Sequence, residues 1–298
     1  MYDRIVVPVD GSDEARHAAR RGLELARVFD ATVHVLHVVE RKALRLTETA
    51  SEKTRLGERG EELLSEIADL AAEFDRPVTT HLTDGKPGVE ISEFADEQNA
   101  DLIVVGRQGL TGLGKRLLGG VTEHVLHRSD VPVFVVPREN HESEKRAGYS
   151  RVLVPTDGSE SAEAATPHGV AIARHFDSTI HVLNVIDLQA AGGAFNAGGL
   201  DKAFIERLET RGRDAVGRVA DEISRTATDV EVQTAVERTT SYKGAAAGVQ
   251  DYVKNDEIDV VVMSSHGRSN LERQLIGSVA STVLRTVDVP VLVVKRPS

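Results

Sequence analysis

The segment GRQGLTGLGKRLLGG, residues 106–120, carries six glycines in fifteen positions and follows the apolar run Leu102–Val105 directly. Glycines after a strand let backbone N–H groups approach an anion with no Cβ in the way, so the chemistry on offer is phosphate binding. Two templates overlap in this stretch. Gly109, Gly114 and Lys115 nearly fit the Walker spacing G-x-x-x-x-G-K-[ST], but Arg116 stands where a Ser or Thr would hold magnesium. Gly106, Gly109 and Gly119 fit a different spacing, G-x2-G-x9-G.

An internal repeat decides between them. RIVVPVDGS at 4–12 recurs as RVLVPTDGS at 151–159, and TVHVLHVVE at 32–40 recurs as TIHVLNVID at 179–187, both at an offset of 147. DVPVFVVPR at 130–138 recurs as DVPVLVVKR at 288–296, at an offset of 158, so the second copy carries 11 extra residues in between. The second copy's counterpart of the glycine loop is SSHGRSNLERQLIGS at 264–278. There Gly109 and Gly119 become Gly267 and Gly277, whereas Gly114 and Lys115 become Glu272 and Arg273. The Walker reading fails in the second copy. What both copies keep is the pair of glycines ten residues apart. The first of each pair follows a strand, and the second precedes VTEHVLH or VASTVLR, which read as the start of a helix. A helix N-terminus adds free N–H groups and partial positive charge, so the two features together can grip neighbouring phosphates.

The elements that must position these groups read as alternating strands and helices. In the first copy Ile5–Val9, Thr32–Val39, Leu102–Val105 and Val131–Val136 are apolar runs, with Val78–Leu82 a weaker fifth. Runs such as RIVVPV and DLIVVG are apolar without alternation, as expected of strands buried on both faces of a parallel sheet. Ser12 and Ser159 can cap the first helix of each copy. Along it Ala15, Ala18, Gly22 and Ala26 match Ala162, Ala165, Gly169 and Ala173, a small-residue stripe that lets the helix pack close to the sheet. The β-α-β-α-β-α-β-α-β pattern predicts an α/β fold of two doubly wound domains with right-handed crossovers. The expected boundaries are a first domain over 1–138, a linker over 139–149 that is charged and poor in apolar residues, and a second domain over 150–298. Ligands in open α/β sheets bind beyond the strand carboxyl ends, where the winding reverses. Asp10 and Asp157 end the first strand of each copy, opposite the glycine loop if strand one neighbours strand four. A carboxylate there suits a ribose hydroxyl or a magnesium ion; its other role is capping the following helix.

Composition narrows the classes of function. The chain of 298 residues has no cysteine, which excludes a disulfide framework, thiolate metal sites and cysteine nucleophiles. No apolar stretch is long enough for a membrane span, and the first residues lack the features of a signal peptide, so a cytoplasmic location is expected. A net charge of -11 disfavours nucleic-acid partners. His34 and His37 point to opposite faces of a strand, and His37 becomes Asn184. His124 and His127 become Thr282 and Arg285, so no metal site is expected. His266, beside Gly267, reads as a solvated loop histidine. No nucleophile, base and oxyanion donor come together, so no catalytic residues are assigned.

At these residues the chain resembles the universal stress protein (UspA-like) family in its tandem two-domain form. The resemblance is carried by VVPVDGS and VLVPTDGS, LHVVE and LNVID, VVGRQG and VMSSHGRS, and the closing DVPVFVV and DVPVLVV. It covers nearly the whole chain. It implies five-stranded parallel sheets of order 3-2-1-4-5 with helices on both faces. It also implies an adenine nucleotide as partner: ATP, ADP or AMP, with magnesium as companion ion. Pro8, Asp10 and Val38 would meet the adenosine part in the first copy, and Pro155, Asp157 and Val185 in the second. Gly106, Gly109 and Gly119 would line the phosphates in the first copy, and Gly267, Gly277 and Ser278 in the second. Each copy departs from the pattern once. Gly120 replaces the Ser/Thr, with Thr122 as the candidate to supply a hydroxyl, and Ser264 replaces the first glycine, a strained substitution only if φ is positive. The expected function is a nucleotide-binding stress-response regulator. The alternatives are an interaction scaffold of the same fold and a slow ATP hydrolase. The last strands are expected to pair the two domains edge to edge, with a homodimer beyond that, and the inserted AAGGAFNAGG at 190–199 is expected to act as a lid.

Overall fold

The computed structural model describes residues 1–40, 50–109, 117–138, 148–192, 201–267 and 276–295. The chain divides into two compact units, Met1–His141 and Glu142–Ser298. The first contains β1 (Arg4–Val9), α1 (Asp13–Phe29), β2 (Thr32–Glu40), α2 (Ala50–Ala72), β3 (Val78–Gly85), α3 (Pro87–Glu97), β4 (Leu102–Gly106), α4 (Gly120–Arg128) and β5 (Val133–Val136). The second contains β6 (Arg151–Pro155), α5 (Glu160–Glu163), α6 (Thr166–Phe176), β7 (Thr179–Asp187), α7 (Leu188–Gly192) and α8 (Lys202–Thr226). It continues with β8 (Val232–Thr239), α9 (Ala245–Asn255), β9 (Val260–Ser264), α10 (Ser278–Thr286) and β10 (Val291–Val294).

Within the first unit the strand order is β3-β2-β1-β4-β5, and within the second it is β8-β7-β6-β9-β10. All pairings inside each unit are parallel: β1 sets Arg4 against Thr32 of β2 and Ile5 against Leu102 of β4, and β6 repeats this with Arg151 on Thr179 and Val152 on Val260. This is the expected fold class and order. The five residues of β4 and of β9 are buried without exception, which explains their unbroken apolar runs. The winding direction reverses between β1 and β4, and between β6 and β9.

The small-residue stripe acts as read. Gly22 packs so close to the sheet that a Cβ there would lie 2.9 Å from Val7 Cγ2, and one on Gly169 would lie 2.8 Å from Val154 Cγ2. The single first helix expected in the second copy is instead two, α5 and α6. Pro167, in the first turn of α6, stands where the first copy has Arg20. A proline there has no N–H and its ring collides with the preceding turn, so the helix breaks and restarts. The final strands are shorter than the apolar runs: Pro132 and Pro290 accept through their carbonyls from Ile103 and Val261 but have no N–H to donate. The insertion expected as a lid is helical in part: residues 190–192 belong to α7, and 193–199 lie outside the described residues. Most of the expected linker, 139–147, lies outside them too. Among the described residues no helix is long and apolar enough to cross a membrane.

Packing and burial yield three stability predictions. Gly22→Ala gains helix propensity of about 1 kcal/mol but overpacks a stiff valine at a cost of about 1–3 kcal/mol, so urea denaturation will show a net loss. Gly217→Ala in α8, where nothing lies within 4 Å of the new Cβ, will show a gain of up to about 1 kcal/mol. Burial pushes the His168 imidazole down from 6.5 to about 4. A histidine kept neutral by the fold contributes fully above pH 6.5 and loses that contribution as pH falls towards 4. The loss is about 2 kcal/mol at pH 5, and a His168→Gln variant will show a correspondingly flatter acid limb in denaturation midpoints against pH.

Candidate functional site

Each unit builds its strand-end corner from the same three residues. In Asp10-Gly11-Ser12 the glycine takes φ +85°, in Asp157-Gly158-Ser159 it takes φ +79°, and only glycine adopts that region without strain. Beyond it, Ser12 Oγ accepts from Ala15 N at 3.1 Å and Ser159 Oγ accepts from Ala162 N at 3.2 Å, capping the following helix. The same serines donate, N–H at 3.0 Å and Oγ–H at 2.6 Å, to Asp10 Oδ1 and Asp157 Oδ1. The aspartate therefore anchors the cap through one oxygen and does not itself cap the helix. Its other oxygen reaches across to the glycine loop: a Cβ built on Gly109 would collide with Asp10 Oδ2, and one on Gly267 with Asp157 Oδ2. These glycines are required by the incoming carboxylate, a reason the sequence reading did not supply.

The second glycine of each pair is pinned identically. Gly119 N donates to Arg107 O and Gly277 N to Ser265 O, both at 2.8 Å. Each then serves as N-cap of a nine-residue helix, α4 or α10, with no side-chain capping bond. The N-cap glycine offers no side chain to the first-turn N–H groups at 120–122 and 278–280, which carry the positive end of the helix dipole. Neither Gly106 nor Ser264 has positive φ, so the serine in the second copy carries no backbone strain. Thr122 is buried, and its hydroxyl donates to Gly106 O at 2.8 Å, tying β4 to the start of α4. Gly120 faces open space, and Ser278, its counterpart, is exposed. His266 is half-buried rather than solvated, and its Nδ1 lies 2.9 Å from Ser265 Oγ. The central loop residues 110–116 and 268–275, with Gly114, Lys115 and Arg116 among them, lie outside the described residues.

In the first unit these pieces enclose a cavity of about 770 Å³ at the carboxyl ends of β1, β2 and β4. Pro8, Asp10, Val38, Gly106, Gly109, Gly119, Gly120 and Thr122 all line it, so the eight positions singled out from the sequence come together. One end is the start of α4. The other is apolar, with Leu36, Val38, Leu56, Leu63 and Ile91. β1 ends opposite His37, whereas β2 runs on to Glu40, so the β1-facing edge of Val38 and Val39 has no strand partner in the sheet. In the second unit Pro155 ends β6, and Asp157, Gly267 and Gly277 repeat the polar end. At the apolar end α9 packs directly on Val185, where a Cβ on Gly248 would lie 2.5 Å from Val185 Cγ1, while Val185, like Val38, stays half-buried.

Sequence reasoning missed two residues. His37 lines the cavity, and its Nδ1 donates to Val9 O at 2.8 Å. Asn184 at the matching position donates through Nδ2 to Thr156 O at 2.7 Å. The carbonyl they hold is the one where β1 or β6 gives way to the aspartate. Different side chains thus do the same job, and a comparison by identity hides it. Arg59, on α2, also lines the cavity. Its signal was the doublet Arg59-Gly60, which recurs as Arg211-Gly212 at a different offset. His34, on the other face of β2, instead pairs with His81 of β3, Nδ1 to Nε2 at 3.1 Å. Burial, then the facing imidazole, holds the His34 pKa below its ordinary value. No group of three or more metal-ligating side chains forms among the described residues.

The model of the universal stress protein family matches residues 1–137 and 148–295. The chain belongs to the universal stress protein family. Universal stress protein MJ0531 of Methanocaldococcus jannaschii is 38% identical over 148 residues, which span 48% of this chain and 86% of the relative. A universal stress protein of Mycolicibacterium smegmatis is 29% identical over 306 residues, spanning 98% of this chain and 96% of its own. Among solved structures, a universal stress protein from Archaeoglobus fulgidus superposes with a TM-score of 0.67 at 23% identity, covering 99% of this chain and 97% of that one. The last likeness concerns the fold alone. The family match covers both units, in keeping with the tandem reading.

The His37 contact yields a prediction. His37→Leu leaves the buried end of β1 without its donor and will cost about 1–3 kcal/mol in chemical denaturation. His37→Asn, the second unit's own solution, will recover most of that loss.

Proposed function

We propose that this universal stress protein binds an adenine nucleotide at the strand-end crevice of each unit and acts as a stress-response regulator without vigorous catalysis. The observation that carries this reading is the first unit's cavity, which all eight candidate residues line. Its two ends differ in a way that suits a nucleotide. The first-turn N–H groups at the start of α4, beside the bare backbone of Gly119 and Gly120, suit phosphates. The apolar end, with the unpaired edge of Val38 and Val39, suits a flat heteroaromatic base. Asp10 lies between, where its carboxylate can accept from ribose hydroxyls. Magnesium would accompany the phosphates as their counter-ion. The second unit repeats the phosphate and ribose positions, with Ser278 adding a hydroxyl that the first lacks. On the direct packing of Gly248 against Val185 in the second unit, we rank the first unit as the tighter site.

Two measurements test this. Protein purified without added nucleotide, then denatured, will release an adenine nucleotide detectable by mass spectrometry. On stripped protein, ATP with magnesium at a hundred times its dissociation constant will add about 2.7 kcal/mol of stability. Asp10→Ala will remove most of that gain, and Asp157→Ala less of it. No release and no stabilisation by ATP, ADP or AMP would refute the reading.

A further inference from the structure

We propose that Arg59 caps the face of the bound base, and that Arg211 occupies the same role in the second unit. This rests on the nucleotide reading and deepens it. The placement of Arg59 follows from the glycine beside it. Gly60 brings α2 hard against the sheet: a Cβ there would lie 2.7 Å from Leu82 Cδ1 and 2.9 Å from His37 Cδ2. Gly212 does the same for α8, at 2.7 Å from Asn184 Oδ1 and 3.0 Å from Val236 Cγ1. Fixing that glycine fixes the backbone from which the neighbouring arginine projects. Arg59 lines the same cavity as His37 and Val38, beside the Gly60 that packs on His37, and is flanked on α2 by Leu56 and Leu63, one turn away on either side. That is the apolar end of the cavity, where the base belongs, and not the start of α4.

The charged surroundings favour this role over simple ion pairing. The described charged residues lining the cavity are Asp10, Arg16, Glu40, Arg59, Glu62 and Glu66. Arg16 is bound to Glu66 at 2.7 Å. Arg59 is exposed and makes no ion pair or hydrogen bond among the described residues. Arg211 is exposed too and likewise without one. A guanidinium is planar and weakly hydrated, so it stacks on a π-face at low desolvation cost, which an ammonium does not match. Two arginines at repeat-related positions, next to glycines with the same packing role, point to a function that duplication kept while the residues around them changed.

The test is calorimetric titration of the full chain, stripped of nucleotide, with adenosine and with ATP–Mg. Arg59→Gln will weaken the tighter site about tenfold for both ligands, because the contact is to the shared base. Arg59→Lys will not restore it, and Arg16→Gln, the paired cation in the same cavity, will change it less than threefold. Arg211→Gln will act on the weaker site alone. A loss confined to ATP, or full rescue by lysine, would make Arg59 a phosphate contact and overturn the proposal. Unchanged affinity for both ligands would overturn it as well, while leaving the nucleotide reading intact. If the wild-type chain binds neither ligand, the nucleotide reading fails and this inference with it.

Discussion

A carboxylate at the end of the first strand lies against a glycine at the end of the fourth, and the geometry of each candidate site depends on that contact. Asp10 meets Gly109, and Asp157 meets Gly267, at distances no Cβ would allow. The contact joins the two loops on either side of the winding reversal. One carboxylate oxygen holds the serine that caps the first helix, and the other reaches the glycine loop. The positions of the first helix, the loop and the start of the last helix are therefore linked through one side chain. The reversal opens the crevice, as in other doubly wound sheets, and the aspartate keeps its rims in register.

Duplication shows which features are interchangeable. His37 and Asn184 differ in chemistry yet make the same bond to the carbonyl ending the first strand. The ion pair between the first helix and the long helix is reversed in sign: Arg16 with Glu66 in one unit, Glu163 with Arg218 in the other. These pairs are substantially exposed and contribute at most about 1 kcal/mol each, so reversal costs little. What does not vary is the backbone geometry: left-handed Gly11 and Gly158, and the 2.8 Å pins at Gly119 and Gly277. Backbone donors are set by the fold and survive side-chain change.

Most of the architecture was legible because it is written in local signals. Apolar runs of strand length, the small-residue stripe, and the Asp-Gly-Ser turns each act within a few residues. The strand order was carried by the family resemblance, since pairing partners lie far apart in sequence. The break between α5 and α6 was readable from Pro167 but was overridden by the match of small residues around it. The contacts that escaped are long-range. Asp101 accepts from Asp3 N and Arg4 N, and Asp259 accepts from Ser150 N and Arg151 N, closing the foot of each sheet across about a hundred residues. Arg59 escaped for a different reason. The 11 extra residues enter in three places, so the long helices align at an offset of 152, between the offsets that mark the strands.

The most direct measurement is a titration of the chain labelled with 15N at glycine, followed by amide chemical shifts as ATP–Mg is added. The account predicts that the amides of Gly109, Gly119 and Gly120 move first, with Gly267 and Gly277 following at higher concentration, while Gly148 and Gly217 stay still. Shifts absent at millimolar ATP, or confined to glycines away from the crevice, would contradict it.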